Sequence, residues 1–399
     1  MRYTVWGQVR QVAIEQAIAR AFEDTHPDIK VDVLTVTADY QSKVQSMIVG
    51  GVAPDVMMVD ELSYADWGSR GALLDLTDVV SALDRESPFM PAVLEALSVH
   101  GRYYAVPVNV HGFVMYCNVD ALKRVGLSLP TRALTWEEFG ALGPKLAARG
   151  GASDSSTDYL CAAPPANTVL LGFGARLFDD SHQPTRVTVE GAPAVRAIEF
   201  LRLMDRSHWA PSASSQLDSG AFQLFRDGKA AFLFMWRSIS PELVGHTRFQ
   251  WDVAPVPRDD DGEDRLGGTF IGVSRNTPQP ELAVEFARFY ASEAATRIAV
   301  RGGRVVPVRR AWAYGQEFLT QPGPPSMRVF SETMESHRSG YLVYAPGIRE
   351  VYDICLRREQ QALAEPSIPA AEIVHLLQVD LENWLAKAKA DKILNPESR

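Results

Sequence analysis

The sequence predicts an α/β protein in which a mostly parallel sheet is flanked by helices, and three observations carry that expectation. Strand-like and helix-like segments alternate from residue 3 to residue 61. The third strand candidate, Val56-Met57-Met58-Val59, is apolar at every position, as a strand covered on both faces must be. The chain has 399 residues, beyond the ~250 to 300 at which one core usually stops growing, so two domains are expected.

The first strand is Tyr3-Thr4-Val5-Trp6. A helix follows with Ile14, Ala17, Ile18, Ala21 and Phe22 on one face, and His26-Pro27-Asp28 stops it. Ile29 to Val33 alternates with period two. A second helix from Tyr40 to Ile48 turns Val44, Met47 and Ile48 inward and ends at Gly50-Gly51, ahead of the apolar third strand. In open α/β sheets ligands gather beyond the carboxyl ends of the strands, which brings Trp6, Gln8, Asp60 and Glu61 to one rim.

Gly101 to Val108 and Gly112 to Val119 read as a strand pair at which the chain could cross between domains. Thr135 caps a helix whose first turn carries Glu137 and Glu138, where carboxylates favour the helix dipole. Residues 150–158 are small and polar and read as a loop. Helices are expected at 193–207 and 218–228, and strands at 230–236 and 251–257. The charge run 258–265, RDDDGEDR, reads as a solvated hairpin loop. Residues 267–274, 280–292 and 304–310 form a strand-helix-strand unit, and two helices close the chain, the last amphipathic through Ile373, Leu376, Leu377, Leu381 and Leu385.

Composition narrows function. With 46% hydrophobic and 22% charged residues the chain is neither fibrous nor disordered. A net charge of -9 and the absence of a Lys/Arg block point away from nucleic acid. No apolar run reaches the ~18 residues of a membrane span. Met1 stands two residues before the first strand, with no room for a leader, so the chain reads as cytosolic or as an exported form whose signal has been removed. Cys117, Cys161 and Cys355 cannot all pair with one another, and apolar neighbours mark Cys117 and Cys355 as small buried hydrophobes.

Motifs of nucleophilic, phosphate-binding or zinc chemistry are missing, and the eight histidines show no metal-ligand spacing, so neither catalysis, a cofactor nor a metal is expected. What recurs instead is aromatic rings beside polar planar groups: Trp6 with Gln8, Tyr64 and Trp67 after Asp60-Glu61, Trp236 with Arg237, Phe270 after Gly268-Thr269, and Tyr341 and Tyr344. A neutral carbohydrate offers a C–H face for a ring and hydroxyls for carboxylates, amides and guanidinium groups. Each residue also has a plainer reading: the rings as partial core, Asp60 and Glu61 as helix caps or turn residues, His111 as a satisfied hinge histidine.

At GGVAPDVMMVDE, with HPDIKVDV before it and GALLDLT after it, the chain resembles the carbohydrate-specific extracytoplasmic solute-binding proteins of ABC transporters, the group typified by maltose-binding protein. The likeness runs on through GRYYAVPVNVHGFVMYCNVDALKRVGL, TWEEF, AFQLFRDGKAAFLFMW, FIGVSRNTPQPELAVEFARFY and GGRVVPVRR. It implies a periplasmic-binding-protein fold of two α/β lobes with the ligand cleft between them. One lobe would comprise 1–110 plus 270–308 and the other 113–265 plus 312–399, with hinge crossings near 109–112, 267–270 and 308–311.

Carried over by position, the group's cleft residues fall on Trp6, Gln8, Tyr40, Asp60, Glu61, Asn109, His111, Trp236, Arg237, Gly268, Thr269, Phe270, Arg304 and Tyr341 or Tyr344, with Phe173, Gly174 and Arg176 lining the opposite wall. The maltose binder has an acid where this chain has His111, so its sugar does not carry over. The implied role is a monomer, periplasmic or tethered outside the membrane, that captures a di- or oligosaccharide and delivers it to an ABC transporter permease. Two alternatives stay open. A glycoside hydrolase would need a second carboxyl, because adjacent Asp60 and Glu61 cannot flank a bond across the ~5 to 5.5 Å a retaining pair spans. The same fold could instead take a polyamine, a peptide or ferric ion.

Overall fold

The computed structural model describes residues 1–7, 9–146, 158–162, 166–211, 220–335, 339–340, 345–391 and 394. The chain begins β1 (Arg2–Val5), α1 (Val9–Thr25), β2 (Asp32–Thr35), α2 (Tyr40–Val49), β3 (Val56–Asp60) and α3 (Glu61–Ser69). β1 is the centre of the parallel part, with Tyr3 opposite Val33 on one side and opposite Val56 on the other. The alternation of strands and helices therefore builds the expected unit. Val56 to Val59 are all buried, and α1 lays Ile14, Ile18, Ala19 and Phe22 into the same core.

The later strands are β4 (Ala105–Gly112), β5 (Val114–Asn118), β6 (Tyr159–Cys161), β7 (Ala230–Met235), β8 (Trp251–Ala254), β9 (Asp264–Val273) and β10 (Ser339–Gly340). They complete two sheets, one ordered β10-β9-β3-β1-β2 with β4 also on β9, the other β6-β7-β5-β8. Each sheet has its own lobe. Side chains of β5 alternate between the two faces of the second sheet: Tyr116 packs with Phe225, Trp251 and Phe330, while Met115 and Cys117, with Phe113 just before the strand, join the core that the helices Ala192–Arg206, Ile348–Ala364 and Ala370–Ala390 cover. The last of these helices buries Ile373, Leu377, Leu381 and Leu385, the stripe its sequence shows.

Two local expectations fail and a third holds only in part, each for an identifiable reason. β4 and β5 are not paired; the chain runs through Phe113 from one sheet into the other, because Val106 to Gly112 pair with β9 while Val114 to Cys117 pair with β7. Residues 304–310 form no strand. The Val306 N–H donates instead to the Asn109 side-chain oxygen at 3.1 Å, and Pro307 has no N–H to give a ladder. The run 258–265 is a solvated loop only at its tip, where Asp260 and Asp261 form an exposed turn; Asp264 opens β9, is buried, and receives Arg258 Nη1 at 2.7 Å, while Asp259 meets Arg196 at 2.8 Å. Opposite charges within the run, and beyond it on the neighbouring helix, hold those two acids. Residues 151–157, from the small polar segment, lie outside the described residues. All three cysteines are buried and unpaired.

Candidate functional site

A cavity of 310 Å³ opens where β4 and β9 pass between the two sheets. Its first-lobe wall is made by Trp6 and Gly7 just past β1, Asp60 and Glu61 at the end of β3, and the opening turns of α1. This is the rim beyond the strand ends that the sequence marked. The strand pair supplies the floor, where Thr269 stands opposite both Asp60 and Asn109, and Gly267 opposite His111. A bulge between Pro107 and Asn109 re-aims β4 there, since Pro107 cannot donate to the ladder. Among the described residues Trp236 and Ser238 line the cavity from the second sheet's side.

The two acids are both engaged within the protein. Asp60 caps α3, accepting from the Ser63 N–H at 2.8 Å through Oδ1, and its Oδ2 receives Gln41 Nε2 at 2.7 Å. Arg349 reaches the same Oδ2 across the cleft at 3.4 Å. Glu61 accepts from the Gly268 N–H at 3.1 Å and so fastens α3 to β9. Their cap and turn roles are thus real and do not remove them from the cavity wall.

The rings are fixed by their neighbours. Trp236 stacks on Phe113 with centroids 3.7 Å apart and planes at 17°, and His111 tilts against it at 4.6 Å. Gly267 has no Cβ; one there would lie 3.0 Å from the indole, so the glycine lets the ring settle on the β9 backbone. Trp6 stands on the edge of Tyr40, centroids 4.9 Å apart.

The same wall holds a buried carboxyl. Glu15 is 1% exposed yet lines the cavity, and it accepts from Tyr3 Oη at 2.9 Å, Tyr290 Oη at 2.5 Å and Gln11 Nε2 at 2.5 Å. Burial pushes its carboxyl above the ordinary range and the three donors oppose that rise. Arg304 completes the wall, its Nη1 3.4 Å from Glu242 of the second lobe, with burial lowering the guanidinium's basicity.

Of the sequence-derived residues, Trp6, Asp60, Glu61, Asn109, His111, Trp236, Gly268, Thr269 and Arg304 come together in this cavity. Three do not. Tyr40 lies under Trp6, its hydroxyl donating to the Met58 carbonyl at 2.8 Å. Phe270 alternates with Thr269 along β9, so its ring turns into the core, 0% exposed, against Tyr64. Arg237 begins a 3-10 turn that carries it inward to 1% exposure over the Phe330 ring, and Ser238 takes its place on the wall. Phe173 packs on Trp136, and Gly174 and Arg176 line a different depression, 380 Å³ in volume, on the second lobe. Gln8, Tyr341 and Tyr344 lie outside the described residues.

Sequence reasoning missed Gln11, Glu15, Gln41, Ser238 and Tyr290. A signal existed for Gln11 and Glu15, which share a helical face with Ile18 and Phe22 at spacings of four, three and four residues, an acid on an otherwise apolar stripe.

The family profile described as "Bacterial extracellular solute-binding protein" matches residues 6–297. The chain belongs to that family. As an extracellular solute-binding protein it is a binding protein rather than an enzyme. It is 27% identical over 344 residues to the mannitol-binding protein of Pseudomonas aeruginosa, covering 80% of this chain and 76% of that protein. It is 26% identical over 312 residues to the arabinooligosaccharide-binding protein of Bacillus subtilis, 72% of this chain and 67% of the other. Among solved structures, an ABC substrate-binding protein from Listeria monocytogenes in complex with cycloalternan superposes with a TM-score of 0.82 at 20% identity, covering 97% of this chain and 98% of that one. The GacH receptor of Streptomyces glaucescens, solved unliganded and with acarbose, gives 0.81 at 21% identity, covering 97% and 99%. These two likenesses establish the two-lobed binding-protein fold.

Proposed function

We propose that this solute-binding protein captures a neutral sugar or sugar alcohol, of up to oligosaccharide length, in the cleft between its lobes and delivers it to the permease of an ABC transporter. The observation that carries the reading is the cleft's lining: two indoles, Trp6 and Trp236, each propped by a second ring, among carboxylates and amides. Such a site suits a molecule with apolar C–H faces and a rim of hydroxyls. Relatives bind mannitol, arabino-oligosaccharides and maltodextrins by name, which sets the range of candidates.

The polyamine alternative loses ground because Asp60 and Glu61 already accept hydrogen bonds from within the protein. The lobes divide as 1–110 plus 270–308 and 113–265 plus 312–399, and closure turns on 109–112, 267–270 and 308–311. The protein works as a monomer outside the cytoplasmic membrane, periplasmic or tethered, without nucleic acid or cofactor. A thermal-shift and calorimetric panel of mannitol, arabinotriose, maltose and maltotriose tests the reading. At least one should bind stoichiometrically and be recovered unchanged; turnover, or silence across a panel widened to common mono- and disaccharides, overturns it.

A further inference from the structure

The carboxyl under the cleft does more than fill the core. Tyr3 comes from β1 and Tyr290 from the end of the helix Pro280–Tyr290, so their hydroxyls hold Glu15 Oε2 from two elements. Oε1 receives Gln11 Nε2 at 2.5 Å. A carboxylate only accepts, so the Gln11 amide must turn its NH2 toward Glu15; the flipped amide would set one oxygen against another at that distance. Gly7 tightens the arrangement: at φ 127° and without a side chain it admits the Gln11 chain where a Cβ would stand 2.5 Å from Cγ. Gln11 lines the cavity, and Glu15 is its hydrogen-bond partner among the described residues.

From this geometry we infer that Gln11 is a specificity-determining residue whose side-chain carbonyl accepts a hydrogen bond from a ligand hydroxyl, with Glu15 as the positioning residue that fixes the amide's direction. The inference rests on the sugar reading above. A group that only accepts, such as a fluorine, an ether oxygen or a fully ionised phosphate, is repelled at this point. A hydroxyl is taken. Asn109 is oriented in the opposite sense, because the Val306 N–H occupies its carbonyl oxygen at 3.1 Å and leaves its NH2 as the donor. The two amides thereby face the cleft with opposite polarity.

The test takes the sugar that binds most tightly in the panel and its series of singly deoxyfluorinated analogues, titrated calorimetrically into the wild type, Gln11→Ala and Glu15→Gln. Fluorine can accept but not donate. In the wild type, one fluorinated position should cost about tenfold in affinity, the effect of one well-made hydrogen bond. In Gln11→Ala that selective loss should shrink to under about threefold. In Glu15→Gln the residue 15 amide can donate to Gln11 and turn it over, so the same discrimination should fall while the protein stays folded by circular dichroism. If Glu15→Gln unfolds, Gln11→Ala alone decides. An unchanged fluorine profile in Gln11→Ala overturns the inference while leaving the sugar reading intact; a wild type that binds no sugar overturns both.

Discussion

Phe113 lies flat against Trp236, ring centroids 3.7 Å apart, and so holds a cleft residue from a position at the junction of the two sheets. Trp236→Ala should weaken binding of the panel sugar by ~1 to 3 kcal/mol, on the scale of ring stacking elsewhere. Phe113→Ala should also weaken it, by less, through a loosened indole. Calorimetric titration separates the two, and a Phe113 variant that binds like the wild type removes the supporting role.

Tyr40 supports rather than binds. Its hydroxyl reaches the Met58 and Thr4 carbonyls and the Thr4 hydroxyl, all within the first lobe. Tyr40→Phe should cost about 1 kcal/mol of stability, the usual worth of a buried hydrogen bond. Sugar affinity should hold within about twofold, because the ring edge under Trp6 remains. Urea unfolding and titration on the same preparation check both halves.

Asp60 acts twice, as cap of α3 and as a cleft wall, and the two contributions are separable. Asp60→Ala should lower stability by about 1 kcal/mol through the lost cap, whereas Asp60→Asn, a comparable cap, should keep most of it. Arg349→Ala removes a half-exposed partner across the cleft and should change stability by less than about 1 kcal/mol. Equal melting temperatures for the Ala and Asn forms of residue 60 would refute the capping role.

Stability should depend on pH through Asp264. Burial holds its carboxyl up to about 6, against an ordinary 3.8, although Arg258 lies 2.7 Å away. Between those two values the folded protein keeps a proton that the unfolded chain has released, so this contribution is complete below pH ~4 and is lost as pH rises through ~6. In Asp264→Asn the titration disappears. The wild type's stability relative to that variant should decline from pH 4 to pH 6 and level off by pH 7, measured by urea unfolding. Glu359, which burial raises to about 7, is present in both proteins and cancels in the difference. A constant difference across that range would exclude Asp264 as the source.

Much of the cleft was legible because strand ends in a parallel sheet share a rim: Asp60 ends β3, Trp6 and Glu61 follow their strands by one residue, and pairing with β3 and β4 brings Gly268 and Thr269 beside them. Glu15 was harder to read. An acid on an apolar helix face signals a buried partner, but its partners Tyr3 and Tyr290 stand 12 and 275 residues away. Arg237 and Phe270 fit the pattern of rings beside polar groups and match the group's cleft residues by position, but side-chain direction, which alternates or turns within one residue, sends them inward.

The sequence by itself determined the alternation of strands and helices, the covered third strand, the amphipathic last helix and the choice of rings, acids and amides for the cleft. These are properties of spacing and residue type, and they act over one or two turns of chain. Only the tertiary structure decided which of those groups meet, that Val306 gives its N–H to the Asn109 side chain instead of a strand ladder, and that Asp259 and Asp264 of a charged run meet Arg196 and Arg258. Each of those outcomes depends on a hydrogen-bond or charge partner supplied by distant chain or by the local geometry of the folded backbone, and periodicity carries no record of it.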